Sequence, residues 1–418
     1  MTVRTVLFTG KGGVGKTTAA AATGVLLAAR GHKALVVSTD PAHSLADALG
    51  VPVGAAPTEV EPGLAAMQVD AQRRFEAGWA GVRDWLGGLL RGAGLDGLTG
   101  FSAEELPVPP GAAEVCALLE VRDQVEHGPW DAVLVDCAPT AETLRLLALP
   151  EALAGYLERV WPVHRRVVRS LRPVLGRLAG EPVLPPEDVL EAAGRLQAEL
   201  AGVRAMLTMP GQSSVRLVLT PEAVVVAEAR RTLTALALHG YAVDSVIANR
   251  VFPPEAGESP WGAAWRSAQS TALAGIAESV PGLPVRQASY RTAEPVGVGP
   301  LLSVAAELYG ADDPLAPAPP PESMAVTRDG EDFVLRVALP FVRRSDVQLL
   351  RSGDELVLTV GGQRRRVALP SVLRRCLPVG AAAGDGAVRV RFRPDPELWP
   401  RSLPLASGSA GDASGPGS

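Results

Sequence analysis

The sequence contains few cysteines and no cysteine pair at metal-binding spacing. Its three cysteines, Cys116, Cys137 and Cys376, lie far apart in the chain. A CxxC pair is typical of zinc sites and redox motifs, and a disulfide framework needs an even set of spaced cysteines. The sequence therefore predicts neither a zinc site nor a disulfide framework.

Long apolar runs and an excess of basic residues are also missing. No uncharged apolar run reaches the roughly 18 residues that a membrane-spanning helix needs, and no leader pattern precedes the first apolar segment. The formal net charge is −5, whereas a nucleic-acid-binding chain is expected to be basic. We therefore expect a cytoplasmic protein that neither spans a membrane nor binds nucleic acid.

Short apolar segments alternate with helical patterns over the first three quarters of the chain. A chain of 418 residues is too long for one typical core, so we expect more than one domain. The segments predicted as strands are 3–8, 33–38, 64–69, 132–135, 215–219 and 243–248. Their alternation with helices predicts an α/β fold with a doubly wound, mostly parallel sheet. Ligands of such sheets bind at the carboxyl ends of the strands.

Two longer segments interrupt this alternation. Residues 71–110 and 141–210 carry leucine, valine and tryptophan at helical spacing, and we expect them to form a helical subdomain beside the sheet. Within the second segment, an apolar stripe lies opposite an arginine-rich face. That helix either packs on the core with a solvated basic face, or presents a surface to a partner or hydrophobic client.

The sequence changes character after residue 310. Residues 311–322 are proline-rich, and we expect them to form an extended linker between the first domain, 1–310, and a second one. Short alternating segments with glycine turns follow over residues 323–394 and predict a small all-β sandwich. The tail, 395–418, is predicted to be disordered, because it is rich in glycine, serine and alanine from about Ser402 onward.

The residues between the first predicted strand and the first predicted helix fit a phosphate-binding loop. Residues 10–17 match G-x-x-x-x-G-K-[ST], with a strand before them and a helix after them. This pattern is typical of P-loop nucleoside triphosphatases. By that pattern, Lys16 is expected to reach the β- and γ-phosphates and Thr17 to ligate Mg²⁺. The residues expected to contact the nucleotide are Gly12, Gly13, Val14, Gly15, Lys16, Thr17 and Thr18. We therefore expect ATP and Mg²⁺ as ligands and Lys16 as a catalytic residue.

Two aspartates follow predicted strands and would lie at the same edge of the sheet. Asp40, after the second strand, can orient or deprotonate the attacking water, although an Asx turn before Pro41 would also explain it. Asp136 ends the fourth strand, where a Walker B acid would hold Mg²⁺ through a water molecule. A polar residue that only ends the strand is the alternative. Both residues are candidate active-site acids.

Lys11 is a second lysine in the same loop. The sequence GKGGVGKTT at 10–18 resembles the deviant Walker A class of P-loop ATPases. This resemblance implies that Lys11 acts on the nucleotide of an opposing subunit and that the protein is a homodimer. A solvated surface lysine is the alternative.

Three motifs together resemble the ArsA family, which comprises arsenite-pump ATPases and related targeting factors for tail-anchored membrane proteins. They are GKGGVGKTT at 10–18, STDPAHSLADALG at 38–50 and DCAPTAETLRLL at 136–147. The resemblance covers residues 1 to about 310. It implies an ATPase in which Asp40 is the catalytic base, Asn249 contacts adenine, and hydrolysis is coupled to the helical subdomain.

The segment from residue 323 to about 394 resembles the α-crystallin-like domain of small heat-shock proteins. The segments FVLRVALP at 333–340, GDELVLTV at 353–360 and RRRVALP at 364–370 carry this resemblance. Three interpretations of the whole chain are open. It is a dimeric, Mg²⁺-dependent ATPase that handles a hydrophobic or membrane-protein client, an arsenite-stimulated ATPase that drives an anion export pump, or a chaperone-like scaffold.

Overall fold

The chain divides into two compact units, which are described here one at a time. The computed structural model describes residues 2–40, 44–70, 112–138, 187–280, 282–318 and 324–399. One unit comprises Met1–Ser323 with Ala338–Val342, and the other comprises Met324–Val337 with Arg343–Ser418. The predicted helical segment 71–110 and residues 141–186 of the second one lie outside the described residues, so the helical subdomain and the domain boundaries stay predictions.

An eight-stranded sheet forms the centre of the first unit. Its strands are β1 (Arg4–Thr9), β2 (Ala34–Ser38), β3 (Thr58–Glu61), β4 (Leu64–Gln68), β5 (Ala132–Asp136), β6 (Ser213–Leu219), β7 (Val243–Val251) and β8 (Val285–Ser289). The strand order is β3-β4-β2-β5-β1-β6-β7-β8. All neighbouring pairs are parallel except β3–β4. The predicted α/β fold with a mostly parallel sheet is confirmed.

Helices cover both faces of this sheet. They are α1 (Lys16–Ala29), α2 (Ser44–Leu49), α3 (Ala112–His127), α4 (Glu187–Leu207), α5 (Ala223–His239), α6 (Pro260–Ser279) and α7 (Val298–Tyr309). On one face, α1 and α7 pack against side chains such as Val6 and Leu134. On the other face, α3 and α4 pack against Leu7 and Val133. The central strands β1, β2, β5 and β6 are therefore buried at every position. Among the described residues, no helix is both long and apolar enough to cross a membrane.

The strand register brings distant parts of the sequence to one edge of the sheet. Asp136 at the end of β5 pairs with Phe8 of β1 on one side and with Ser38 of β2 on the other. Leu219 of β6 pairs with Ala248 of β7. The segments that follow β1, β2, β5 and β7 therefore begin along the same carboxyl edge, where a ligand site is expected.

The sheet also contains a buried ionic cluster centred on Asp244. Its carboxylate accepts hydrogen bonds from Arg216 Nε at 3.0 Å, Ser214 Oγ at 2.7 Å and Ser245 Oγ at 2.8 Å, and it forms an ion pair with Arg4 at 3.3 Å. Burial lowers the pKa of the Arg4 guanidinium, and the Asp244 carboxylate opposes that decrease. The two buried arginines thus depend on one buried carboxylate.

The substitution Asp244→Asn is therefore expected to destabilise the protein by about 3–5 kcal/mol, because it leaves buried charge without its partner. Asp123→Asn is a matched control, since Asp123 is 52% exposed and pairs only with His127 among the ion pairs of the described residues. That change should cost no more than about 1 kcal/mol. Urea denaturation of the full chain measures both values. Equal, small losses for the two variants would contradict this account of the cluster.

The second unit consists of two small sheets. Its elements are β9 (Ala325–Asp329), β10 (Asp332–Ala338), β11 (Val347–Ser352), β12 (Glu355–Val360), β13 (Gln363–Ala368), α8 (Ser371–Arg374), β14 (Cys376–Gly384) and β15 (Ala387–Pro394). The sheet orders are β14-β15-β10-β9 and β11-β12-β13, with antiparallel pairs. The all-β fold predicted for this region is confirmed. The sequence pattern of residues 376–384 does not indicate β14, since Pro378 and Gly380 are poor strand formers.

Candidate nucleotide site

The loop between β1 and α1 makes tight turns at glycines. A Cβ atom at Gly10 would lie 2.0 Å from the carbonyl oxygen of Val218 in β6. Gly15, immediately before α1, has a φ of +97°, in the left-handed region that favours glycine. These two residues let the backbone pass close to the sheet and turn into the N-terminus of α1, where helix N–H groups attract an anion.

Lys16 is a buried cation within this loop. Lys16 is only 5% exposed, and its Nζ donates a hydrogen bond to the backbone carbonyl of Lys11 at 3.4 Å. A buried ammonium ion is stable only near negative charge or good hydrogen-bond acceptors. The phosphates of a nucleotide would supply that charge, as the sequence motif predicts.

Thr17 and Asp136 meet at the carboxyl edge of the sheet. Thr17 Oγ1 donates to Asp136 Oδ2 at 2.8 Å and lies 3.0 Å from Ser44 Oγ. The Ser38 hydroxyl donates to the same carboxylate oxygen at 3.4 Å. One carboxylate and the hydroxyl groups therefore converge beside the phosphate loop, although the chain separates Thr17 from Asp136 by 119 positions.

The Asp136 carboxyl is strongly perturbed. Burial raises its pKa to about 7, while the hydrogen bond from Thr17 and the charge of Lys16 oppose the increase. Its Oδ1 atom is buried and has no hydrogen-bond partner among the described residues. A cation or a cation-bound water beside Oδ1 would satisfy that oxygen and stabilise the charged carboxylate.

Thr17 and Asp136 suit a Mg²⁺ ion that is also ligated by phosphates and water, rather than a metal ion held by protein side chains alone. Mg²⁺ prefers oxygen ligands and is commonly held by one or two protein side chains together with substrate phosphates and water. Thr17 and Asp136 supply that minimal set. Within the described part of the chain, no group of three or more His, Cys, Asp or Glu residues could hold a metal ion by itself.

Asp40 lies near this pair, and its backbone is held in place by two side chains. Its N–H donates to Ser38 Oγ at 3.3 Å, and its carbonyl accepts from Gln68 Nε2 at 2.7 Å. The charge of Asp40 contributes to the raised pKa of Asp136, so the two carboxylates share the same edge of the sheet. Asp40 is half-buried, which is compatible with contact to a water molecule.

Asn249, near the end of β7, also contacts the phosphate loop. Its Nδ2 donates to the carbonyl of Val14 at 2.9 Å, and its Oδ1 accepts from the N–H of Arg250 at 2.9 Å. A Cβ atom at Gly15 would lie 2.1 Å from Nδ2, so the glycine is required where the amide approaches the loop. The structure thus places Asn249 at the loop, and its contact with adenine stays a prediction.

The remaining loop residues differ in exposure. Lys11, Gly12 and Gly13 are exposed, Val14 is buried and Thr18 is half-buried. Lys11 therefore lies on the solvent-facing side of the loop, whereas Lys16 lies within it. Three residues that the sequence prediction did not assign to the site also belong to it. They are Ser38, Ser44 and Gln68. The first two lie within the STDPAHS segment, whereas Gln68 carried no local signal.

Comparisons with known proteins agree with this arrangement. The family model described as anion-transporting ATPase (ArsA_ATPase) matches residues 3–310. A second model, described as an HSP20-like domain found in ArsA, matches residues 330–392. Both resemblances predicted from the sequence are therefore confirmed.

Several curated relatives match between 60% and 96% of the chain. A putative arsenical pump-driving ATPase of Chlorobaculum tepidum is 34% identical over 93% of this chain and 96% of its own length. An uncharacterized protein of Streptomyces coelicolor is 40% identical over 96% of this chain and 100% of its own length. An ATPase ASNA1 homolog of Entamoeba dispar is 32% identical over 60% of this chain and 77% of its own length. The chain therefore belongs to the ArsA family of anion-transporting ATPases and is an ATP-hydrolysing enzyme with an HSP20-like domain.

Proposed function

We propose that the protein is a Mg²⁺-dependent ATPase that works as a homodimer and couples its nucleotide state to a surface that binds a client or partner. The observation that carries the Mg²⁺-dependent chemistry is the pair formed by Thr17 and Asp136. Their oxygen atoms lie 2.8 Å apart at the phosphate loop, and the second Asp136 oxygen is buried without a hydrogen-bond partner among the described residues.

The residues of the loop bind and orient the ATP phosphates. In this proposal Lys16 leaves the Lys11 carbonyl and contacts the β- and γ-phosphates, and the N-terminus of α1 adds its partial positive charge. Thr17 would hold Mg²⁺ through its hydroxyl oxygen, and Asp136 would hold it through a water molecule. When bound, Mg²⁺ neutralises charge that develops on the phosphate oxygens.

Asp40 orients the attacking water and accepts its proton. A carboxylate that does this must be held near the γ-phosphate without binding the phosphate itself. The hydrogen bonds that the backbone of Asp40 donates to Ser38 and accepts from Gln68 support this role, because they fix the segment from which the side chain extends. Catalysis then depends mainly on positioning and on electrostatic stabilisation.

Lys11 acts on the nucleotide of a second copy. The sequence contains only three lysines, Lys11, Lys16 and Lys33, among 40 basic Lys and Arg residues. Two of the three lie in the phosphate loop. The compact ammonium group of lysine is not equivalent to the planar guanidinium group of arginine. This difference explains why the loop carries lysine although most basic positions of the chain carry arginine. Lys16 lies within its own loop, and the exposed Lys11 is then available to a partner.

The client is proposed to be a hydrophobic or membrane-protein segment. The apolar helical pattern of residues 141–210 and the HSP20-like match at residues 330–392 support a role in handling such segments. The similarity to the putative arsenical pump-driving ATPase of Chlorobaculum tepidum favours a second candidate, an ATPase that drives an arsenical pump. Soft metalloids bind clustered thiolates, whereas Cys116, Cys137 and Cys376 are each buried and lie far apart in the sequence.

A metal titration separates these candidates. We expect chelation of divalent metal to abolish hydrolysis and added Mg²⁺ to restore it, because Thr17 and Asp136 form only part of a metal site. Arsenite should leave the rate unchanged, and elemental analysis should find no stoichiometric zinc. Full activity in excess chelator would contradict the Mg²⁺ requirement, whereas stimulation by arsenite would favour the pump-driving role.

A further inference from the structure

The end of β7 contains a strained residue next to the nucleotide site. Arg250 has a φ of +58°, in the left-handed region, although it is not glycine. Such residues are held in place by their surroundings and occur often at functional sites. Arg250 directly follows Asn249, whose side chain contacts the Val14 carbonyl of the phosphate loop.

One buried amide holds this strained turn. Gln269, on α6, is only 5% exposed. Its Oε1 accepts a hydrogen bond from the Phe252 N–H at 2.8 Å, and its Nε2 donates to the Arg250 carbonyl at 3.1 Å. The Arg250 N–H in turn donates to Asn249 Oδ1 at 2.9 Å. An unbroken series of hydrogen bonds and backbone thus joins α6 to the phosphate loop.

We infer that Gln269 is a positioning residue of the nucleotide site, which acts by holding Asn249 against the phosphate loop. The two hydrogen bonds of Gln269 fix the backbone at Arg250 and at Phe252, on either side of Val251. This fixes the direction in which the Asn249 side chain leaves β7. The inference rests on the proposed place of Asn249 in the nucleotide site.

The same bonds connect the site to an aromatic patch. Phe252, whose N–H is held by Gln269, stacks on Tyr290 with ring centroids 5.5 Å apart. It also contacts Trp261 and Trp265 of α6 at centroid distances of 6.0 and 6.1 Å. A change at Asn249 when nucleotide binds is therefore expected to reach α6 through Gln269.

The test uses the full chain and four proteins besides the wild type. They are Gln269→Met, Gln287→Met, Asn249→Ala and the double variant Asn249→Ala/Gln269→Met. Methionine keeps the approximate size of glutamine and removes its amide. Gln287 is exposed on β8 and is the matched control. ATP affinity, hydrolysis kinetics and amide hydrogen exchange of residues 249–252 are measured for each.

Gln269→Met is expected to weaken ATP binding about tenfold, since two hydrogen bonds are lost. The turnover number at saturating ATP should stay within about twofold, because Lys16, Thr17 and Asp136 are untouched. The double variant should bind ATP no more weakly than Asn249→Ala alone, as expected for residues that act through one contact. Gln287→Met should match the wild type.

The outcomes distinguish this inference from the proposed site. If Asn249→Ala binds ATP normally, the proposed place of Asn249 fails and the inference fails with it. If Asn249→Ala binds weakly but Gln269→Met does not, or if their effects multiply in the double variant, only the role of Gln269 is overturned. In the wild type, ATP should slow amide hydrogen exchange of residues 249–252. Unchanged exchange would overturn the inference without the need for any variant.

Discussion

Replacement of Lys16 with alanine is expected to abolish measurable ATP hydrolysis and to weaken ATP binding. Lys16 is the buried cation of the loop, so its loss removes charge that stabilises both the bound phosphates and the transition state. Loss of one preorganised electrostatic contact commonly costs about 10²–10³-fold in rate. Lys33→Ala is the control, because Lys33 is exposed and precedes β2 at the opposite edge of the sheet.

Asp40→Asn should behave differently from Lys16→Ala. Asparagine keeps the shape of the side chain and leaves the phosphate loop intact, so ATP should bind with near-normal affinity. It cannot accept the proton of the attacking water, and the rate should fall by about 10²–10⁴-fold. Equilibrium binding of ATP and steady-state hydrolysis, measured on both variants, separate the two roles. Near-normal turnover in Asp40→Asn would remove Asp40 from its proposed role.

Much of the fold could be predicted from the sequence because the central strands are buried on both sides. β2 and β5 begin with continuous apolar runs, residues 34–37 and 132–135. Asp136 is the last residue of β5, and Asp40 lies two residues after the end of β2. That local pattern was sufficient to predict both the strands and the edge at which Asp40 and Asp136 lie. β3 and β8 were not predicted, since their residues are largely exposed or alternate with polar ones.

The interactions between distant residues could not be predicted in the same way. Arg4 and Asp244 lie 240 positions apart, and in the sequence each resembles an ordinary surface charge. Gln269 likewise has no motif around it, and its importance arises from two backbone groups of another element. Propensity and periodicity act over a few residues, whereas these contacts depend on the assembled fold.

Lys11→Ala is expected to reduce turnover far more than it reduces ATP affinity. An exposed lysine in a loop that already has Lys16 adds little to binding within one subunit. Across a two-fold interface it would stabilise the charge of the transition state, as an arginine finger does, an effect of about 10³–10⁵-fold in other nucleotide hydrolases. Lys33→Ala is again the control. A Lys11→Ala enzyme with normal turnover would contradict a role for this residue in catalysis.

The measurement that tests the dimeric mechanism most directly is ATPase activity after mixing the Lys11→Ala and Lys16→Ala proteins. Each variant alone should be nearly inactive. In a mixed dimer, Lys11 of the Lys16→Ala chain can reach the intact loop of the Lys11→Ala chain and complete one site. Random mixing should therefore restore roughly a quarter of the wild-type rate, because half of the dimers are mixed and each has one complete site. Activity that stays at the sum of the two separate rates, in a sample with verified mixed dimers, would contradict the mechanism.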